Sequence, residues 1–262
     1  MPKYFDIHSH LNFGDYDKDW DEVIGRMRET GTYTIVVGTD YESSKRAVEL
    51  AERYPEIYAC IGIHPVDSPL PTLPLIRGGQ GWGELVKHPK VVAIGECGMD
   101  FFHQDKERDF ERQKKLFLEQ IDFALAHDKP IMIHARDAYP EILEILETEF
   151  PLGNSVSKLR GNVHFFAGDL VTAKRFLKLG FTLSFTGVIT FARNYDEVIR
   201  SVPLESIMVE TDAPYVAPVP YRGKRNEPSY VVEVAKKLAE IRGEDPERVR
   251  AALVSNALSM IM

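Results

Sequence analysis

The chain has 262 residues, 44% of them apolar and 27% charged, enough to fill the core of one large α/β domain over residues 1–262. No apolar stretch approaches the ~18 residues of a membrane span. The net charge of −8 argues against a protein that coats DNA by charge alone. It leaves room for a locally cationic site, because bound divalent ions reverse the field around them. Met1-Pro2-Lys3-Tyr4 runs straight into a strand-like segment without a secretory succession of charged, apolar and small residues, so a cytoplasmic protein is expected. The two cysteines, Cys60 and Cys97, stand alone, which excludes a zinc ribbon or CxxC redox motif, and both read as inert packing.

In chain order, strand-like runs cover Tyr4 to His8, Tyr33 to Gly38, Ile57 to Ile63, Val91 to Gly95, Ile131 to His134, Asn162 to Phe166, Phe181 to Phe185 and Ile207 to Glu210. Most are near-continuous apolar runs rich in β-branched or aromatic residues, as in parallel strands buried on both faces. Helical periodicity lies between them. It is clearest over Lys106 to His127, with Phe110, Phe117, Ile121, Ala124 and Leu125 on one stripe. A second helix is predicted over Tyr230 to Ile241, with Pro228 near its start and Gly243 past its end. The Pro- and Gly-rich stretch from Asp67 to Gly83 predicts a long loop before a short helix at Glu84 to Lys87. This alternation predicts an α/β fold, a (β/α)8 TIM barrel. The rival is an open doubly wound sheet, whose first turn should carry a glycine-rich fingerprint; histidines stand there instead.

In such barrels chemistry collects at the C-terminal strand ends. The first run ends in Asp6-Ile7-His8-Ser9-His10, where side chains two apart share a face. Later runs end in or carry His64, Glu96 with Asp100, His134 with Arg136, His164, and Glu210 with Asp212. One such histidine alone is usually a packed, hydrogen-bonded residue. Five of them with two carboxylates, converging on a barrel mouth, need compensation for their buried polarity, and metal binding supplies it. Glu96 sits midway round the ring and can bridge two divalent ions. The expected partition is His8, His10, Glu96 and Asp212 on one ion, and Glu96, His134 and His164 on the other. Mixed N and O ligands suit Zn²⁺, Mn²⁺, Ni²⁺ or Fe²⁺, and Mg²⁺ less well. Two ions ~3.5–4 Å apart would clamp an in-line phosphoryl displacement and make a water acidic enough to attack, so no Ser or Cys nucleophile is needed.

With Asp6-Ile7-His8-Ser9-His10-Leu11, Gly62-Ile63-His64-Pro65, Ala93-Ile94-Gly95-Glu96-Cys97-Gly98-Met99-Asp100 and Ile133-His134-Ala135-Arg136 in this order, the chain resembles the TatD-type metal-dependent deoxyribonucleases, a branch of the amidohydrolase-like barrels. Glu210-Thr211-Asp212-Ala213-Pro214-Tyr215 and Arg222-Gly223-Lys224-Arg225-Asn226-Glu227-Pro228 complete a match over essentially the whole length. The resemblance implies a (β/α)8 fold, divalent-metal dependence and hydrolysis of nucleic-acid phosphodiesters, often from the 3′ end. It implies metal roles for His8, His10, Glu96, His134, His164 and Asp212, and places His64 near the scissile phosphate. The chain departs from the family in His164-Phe165-Phe166-Ala167-Gly168, where cysteine and serine are commoner, and in lacking the aromatic ending after Ser255-Asn256-Ala257-Leu258.

Other roles remain open between function and packing. Asp212 can also take a proton from the attacking water. Glu210 orients a histidine ligand or pairs with a buried arginine. His64 contacts phosphate or is structural, and Arg136 forks onto a phosphate or forms a structural ion pair. Arg222, Lys224 and Arg225 form a phosphate clamp or a solvated surface. Tyr215 is a candidate substrate contact. Phe101, Phe102 and Tyr221 stack a base or pack within loops. His103 touches substrate or solvent, while His88 and His127 read as bland, His127 as a helix C-terminal residue.

Nucleic-acid ends, DNA or RNA, are thus the expected substrate of a monomer or small homo-oligomer. The alternative keeps the metals and changes the bond, to an esterase or deacylase acting on aminoacyl-tRNA. A metal-stabilised scaffold is a third reading, but structural zinc sites are usually closed by four ligands and the surplus here favours open, reactive metals.

Overall fold

Strands with apolar residues on both faces, each followed by an amphipathic helix, close on themselves when every crossover is right-handed. The structure, a computed structural model, describes residues 1–66, 81–150 and 159–261. Its strands are β1 (Tyr4–Ser9), β2 (Thr32–Val37), β3 (Ile57–Ile61), β4 (Val91–Asp100), β5 (Ile131–Arg136), β6 (Gly161–Val163), β7 (Phe181–Phe185) and β8 (Ile207–Val209), all parallel and in sequential order. The seam between β8 and β1 is joined by a parallel bridge from Ser9 to Ala213, with Asp212 N donating to His8 O at 2.9 Å and His10 N donating to Ala213 O at 2.7 Å. The barrel is therefore nearly closed.

Around it lie α1 (Trp20–Thr30), α2 (Tyr41–Arg53), α3 (Trp82–Leu85), α4 (Lys106–Ala126), α5 (Tyr139–Glu149), α6 (Leu170–Lys178), α7 (Asp196–Ser201), α8 (Val231–Arg242) and α9 (Pro246–Ile261). Their starts follow local chemistry. Asp40, Asp105 and Asp169 each accept from the backbone N–H three residues on, at Ser43, Arg108 and Thr172. His127 caps the end of α4, as expected. The short helix begins at Trp82, two residues before its expected start. The expected loop from Asp67 lies outside the described residues through position 80. None of the described helices is long and apolar enough to cross a membrane.

Two buried clusters divide the core. The larger packs the outward strand residues, such as Ile61, Ile133, Leu183 and Ile207, against the helices. The smaller joins Phe5, Ile7, Ile35, Cys60, Met132 and Met208, from strands around the ring, and fills the barrel with help from Ala257 and Met260 of α9. Asp6 ties the seam below the mouth. Its carboxylate accepts from Thr211 N at 2.8 Å, Thr211 Oγ1 at 2.7 Å and Thr34 Oγ1 at 3.2 Å. Burial pushes its pKa well above the usual carboxylate range.

The strand that departs most from expectation is β4, which runs on to Asp100 rather than stopping at Gly95. Pairing with β5 continues through Gly98–His134 to Asp100–Arg136, and that ladder overrides the low strand propensity of its glycines. Those glycines are needed. At Gly98, with φ of 140°, a Cβ would lie 2.0 Å from the His134 carbonyl oxygen; at Gly95, with φ of 152°, it would lie 2.6 Å from that of Met132. Gly98→Ala must therefore push β4 off β5 under the metal-site residues. The expected outcome is a loss of about 3 kcal/mol or more, or insoluble protein, read by urea unfolding; a loss below about 1 kcal/mol would show that the strands yield cheaply.

Candidate metal centre

The register of β1 shifts between Asp6 and Ser9, and that of β4 between Ile94 and Cys97. Such irregularities re-aim side chains near strand ends, and here they fall in the segments that hold His8 and Glu96. The result is a buried constellation at the C-terminal mouth. His8 Nε2 and His10 Nε2 lie 3.1 Å apart. Glu96 Oε2 is 3.5 Å from the first and 3.6 Å from the second. Asp212 Oδ1 is 3.8 Å and 3.6 Å from the same two nitrogens. Donor atoms around a tetrahedral zinc ion, bound at ~2.0–2.1 Å, stand roughly 3.3–3.4 Å from one another. The spacing and chemistry of this set fit a divalent cation.

The other oxygen of Glu96 serves a second set. Oε1 lies 2.6 Å from His134 Nδ1 and 2.8 Å from His164 Nε2, and those nitrogens are 3.1 Å apart. His64 Nε2 stands 3.8 Å from the same oxygen. The six expected ligands thus come together, with the two oxygens of Glu96 divided between two groups of donors. Two groupings able to hold an ion, His8 with His10 and Glu96, and His64 with Glu96 and His134, share that glutamate.

The field around Glu96 is strongly cation-seeking. Burial alone would raise its pKa, but His164, His134 and His8 outweigh burial and hold it well below the usual range. Burial likewise depresses imidazoles. At His10 the nearby Asp212 and Glu96 overcome it and raise the pKa, and at His134 Asp100 and Glu96 do so. His164 is raised furthest, by Glu96 and Glu210. His8 is lowered, by its burial and by His164, on which its ring stacks at 4.1 Å. A divalent cation at either set would take over the role of the protons that these imidazoles retain.

Most rings are aimed from behind. His10 Nδ1 donates to Val37 O at 2.9 Å, leaving the Nε2 lone pair toward Glu96. His164 Nδ1 faces Glu210 Oε1 at 3.4 Å, and Glu210 is itself held by Phe165 N and Ser184 Oγ. Of its two expected roles, Glu210 takes the one beside a histidine. His134 Nε2 meets Asp100 Oδ2 at 3.0 Å, which turns Nδ1 toward the centre. The role of Asp100 was missed in the sequence, although its place four residues after Glu96 was a usable signal. Phe13, stacked flat on His10 at 4.5 Å, was missed as well. Asp212 adopts φ of 54°, a left-handed conformation that aspartate tolerates at functional sites.

The mouth opens into a cavity of ≈ 710 Å³ lined by His64, Arg136 and Tyr215 as well as the donors. Arg136 has no carboxylate partner among the described residues and lies over the Phe102 ring at 3.6 Å. The remaining basic residues do not line this cavity. Arg225 forks onto Asp19 and, with Lys224, lines a separate shallow recess; Arg222 covers Phe191. Tyr221 stacks on Tyr230 at 3.8 Å, and Phe101 is in the core. His103 is exposed beside Phe102, and His88 pairs with Glu52. Both cysteines are fully buried and free.

A parallel eight-stranded barrel whose mouth gathers imidazoles around a shared carboxylate defines a metal-dependent hydrolase. Residues 5–261 match the profile of TatD-related DNases, and the chain belongs to that family. It is 40% identical over 257 residues to the uncharacterized metal-dependent hydrolase YabD of Bacillus subtilis, covering 97% of this chain and 96% of that one. It is 33% identical over 265 residues to the 3′-5′ ssDNA/RNA exonuclease TatD of Citrobacter rodentium, covering 97% and 95%. The crystal structure of the TatD homolog YJJV from Escherichia coli K12 superposes with a TM-score of 0.85 at 30% identity, covering 99% of this chain and 98% of that one.

If Asp100 sets the His134 tautomer, Asp100→Asn should weaken metal binding by about 10–100-fold. Competition with a chromophoric chelator measures this. A change of less than about twofold would leave His134 oriented by packing alone.

Proposed function

We propose that the protein is a two-metal phosphodiesterase that trims the ends of single-stranded DNA or RNA, acting in the cytoplasm as one domain over residues 1–262. One observation carries the reading: Glu96 offers one carboxylate oxygen to His8 and His10 and the other to His134 and His164. The name of the Citrobacter relative, a 3′-5′ ssDNA/RNA exonuclease, supports the substrate class. The buried free thiols suit a reducing compartment. The nitrogen-rich donor sets suit Zn²⁺, Mn²⁺, Ni²⁺ or Fe²⁺ better than Mg²⁺. The aminoacyl-ester alternative is not favoured by these comparisons.

Ions held there would supply Lewis acidity to the phosphoryl oxygens and make an attacking water acidic near neutral pH. The residues of the chain do the rest. His8, His10, His134, His164, Glu96 and Asp212 hold the ions. Asp212 accepts the proton of the attacking water. Arg136 offers planar, paired donors to a phosphate at the edge of the cavity. His64 acts as a neutral imidazole, since burial pushes its pKa down to about 4. Val66 N donates to its Nδ1 at 3.4 Å, which leaves Nε2–H free to donate a hydrogen bond to the leaving oxygen as charge develops there.

Elemental analysis joined to shortening of 3′-labelled single strands tests the reading, with charged tRNA as the ester control. Glu96→Gln should lower bound metal from about two equivalents to about one or fewer and reduce turnover by more than about 10²-fold. Fully metal-loaded wild-type protein that shortens no strand would remove the proposal, and turnover of charged tRNA in its place would restore the ester reading.

The pH dependence of His64 has a definite sign. A lowered histidine pKa keeps the ring neutral above about 4, and neighbouring cations push it further the same way. His64→Asn should therefore cut kcat by about 10²-fold yet leave the shape of the pH–rate profile unchanged between about pH 5.5 and 8. The loss of an ionisation in that range would mean that His64 works as an imidazolium.

A further inference from the structure

Most described arginines are tied to carboxylates, as Arg26 is to Glu227, Arg175 to Glu147 and Arg225 to Asp19. Among the described residues, Arg108, Arg136, Arg193 and Arg222 have no such partner, and all are exposed. Arg136 ends β5, and the other three follow strand C-termini, in the loops or first helical turn on the mouth side. Two of them lie on exposed aromatic rings. Arg136 stands 3.6 Å above Phe102, which is 38% exposed, and Arg222 stands 4.0 Å above Phe191, which is 43% exposed.

These two stacks are fixed relative to the metal-site residues. Phe102 N donates to Asp100 Oδ1 at 2.8 Å, and the other oxygen of Asp100 holds His134. On the far side, Arg222 donates to Ala217 O at 3.1 Å, and Val219 N donates to Thr190 Oγ1 at 2.9 Å, which joins the loop of Phe191 to the loop that follows Asp212. A guanidinium lying flat on a ring keeps its N–H groups pointing outward in its own plane and its outer face open. The N–H edge suits a phosphate oxygen, and the outer face or the exposed ring suits an unpaired base. The strand pairs that lead into the stacks, β4/β5 and β7/β8, are three strands apart, or roughly 14 Å along the barrel wall, which sets the scale of the gap between them. That spans about four nucleotides of a stacked strand at 3.4 Å each.

We propose that the Phe102–Arg136 and Phe191–Arg222 stacks bracket a single strand of nucleic acid across the mouth, so that the enzyme selects unpaired strands long enough to touch both. This rests on the phosphodiesterase reading above. Bases paired in a duplex present no free π-face to either stack. A dinucleotide reaches one bracket only.

The test compares kcat/KM for a single-stranded decamer with that for a dinucleotide, using metal-loaded enzyme and whichever sugar the wild type degrades. Phe191→Ala should lower the decamer-to-dinucleotide ratio by about tenfold, and Phe191→Trp should keep it within about twofold. Arg222→Gln should reduce the slope of log kcat/KM against log salt by about 0.7, the share of one phosphate on a single strand. Folded Phe191→Ala and Arg222→Gln proteins with unchanged ratio and slope would overturn the proposal, as would a Phe191→Trp loss equal to that of Phe191→Ala. Wild-type enzyme that degrades no strand would instead remove the underlying reading, and is distinguished because no ratio can then be measured.

Discussion

Glu96 is the constraint on which the rest of this structure depends. It is a carboxylate with 4% of its surface exposed, and a buried anion without compensation is too costly to keep charged. The barrel compensates it with imidazoles from β1 and β5 and from the residue after β6, each within about 3.6 Å of one of its oxygens. That requirement explains why β4 must continue beyond Gly95 and why no side chain can intervene at Gly98. It also explains the register shifts in β1 and β4 that turn donors inward. A centre assembled under these terms attracts a cation with little rearrangement, because its geometry is already held by backbone pairing.

Orientation is then a matter of what stands behind each ring. Val37 O, Asp100 and Glu210 occupy the outer nitrogens of His10, His134 and His164 and set which nitrogen faces Glu96. His8 differs. Its Nδ1 has no hydrogen-bond partner among the described residues, and the ring is held by burial and by stacking on His164. His10 and His134 are thus aimed by hydrogen bonds, His164 by its 3.4 Å contact with Glu210, and His8 by packing.

Much of this was legible in the sequence, for physical reasons that differ from element to element. Strands buried on both faces announce themselves by continuous β-branched runs, and the DIHSH segment carries its own face-sharing rule. What was not legible depends on tertiary approach. The extension of β4 is written in its pairing with β5, whereas its glycines locally speak against a strand. His164 was read as part of a strand that in fact stops at Val163, so it projects from the loop above. The RGKR run resembles a phosphate clamp in isolation, yet Asp19, some two hundred residues earlier in the chain, takes Arg225 for an ion pair. Nothing local to Arg225 signals that partner. Asp100 is the reverse case, since its signal was local and its purpose became visible only with His134 beside it.

The charge distribution reconciles an acidic chain with the polyanionic substrate proposed for it. A net charge of −8 would repel nucleic acid if it acted as a whole. At physiological salt, charges further than about 8 Å are largely screened, so an approaching strand responds to the nearest surface. On the flanks, paired arginines and carboxylates such as Arg175 with Glu147 and Arg28 with Glu56 cancel locally. On the mouth side, guanidinium groups are left uncancelled around a centre built to hold cations. Under the proposed function, the acidic surplus would keep nucleic acid off the flanks, and the local field would direct it to the mouth.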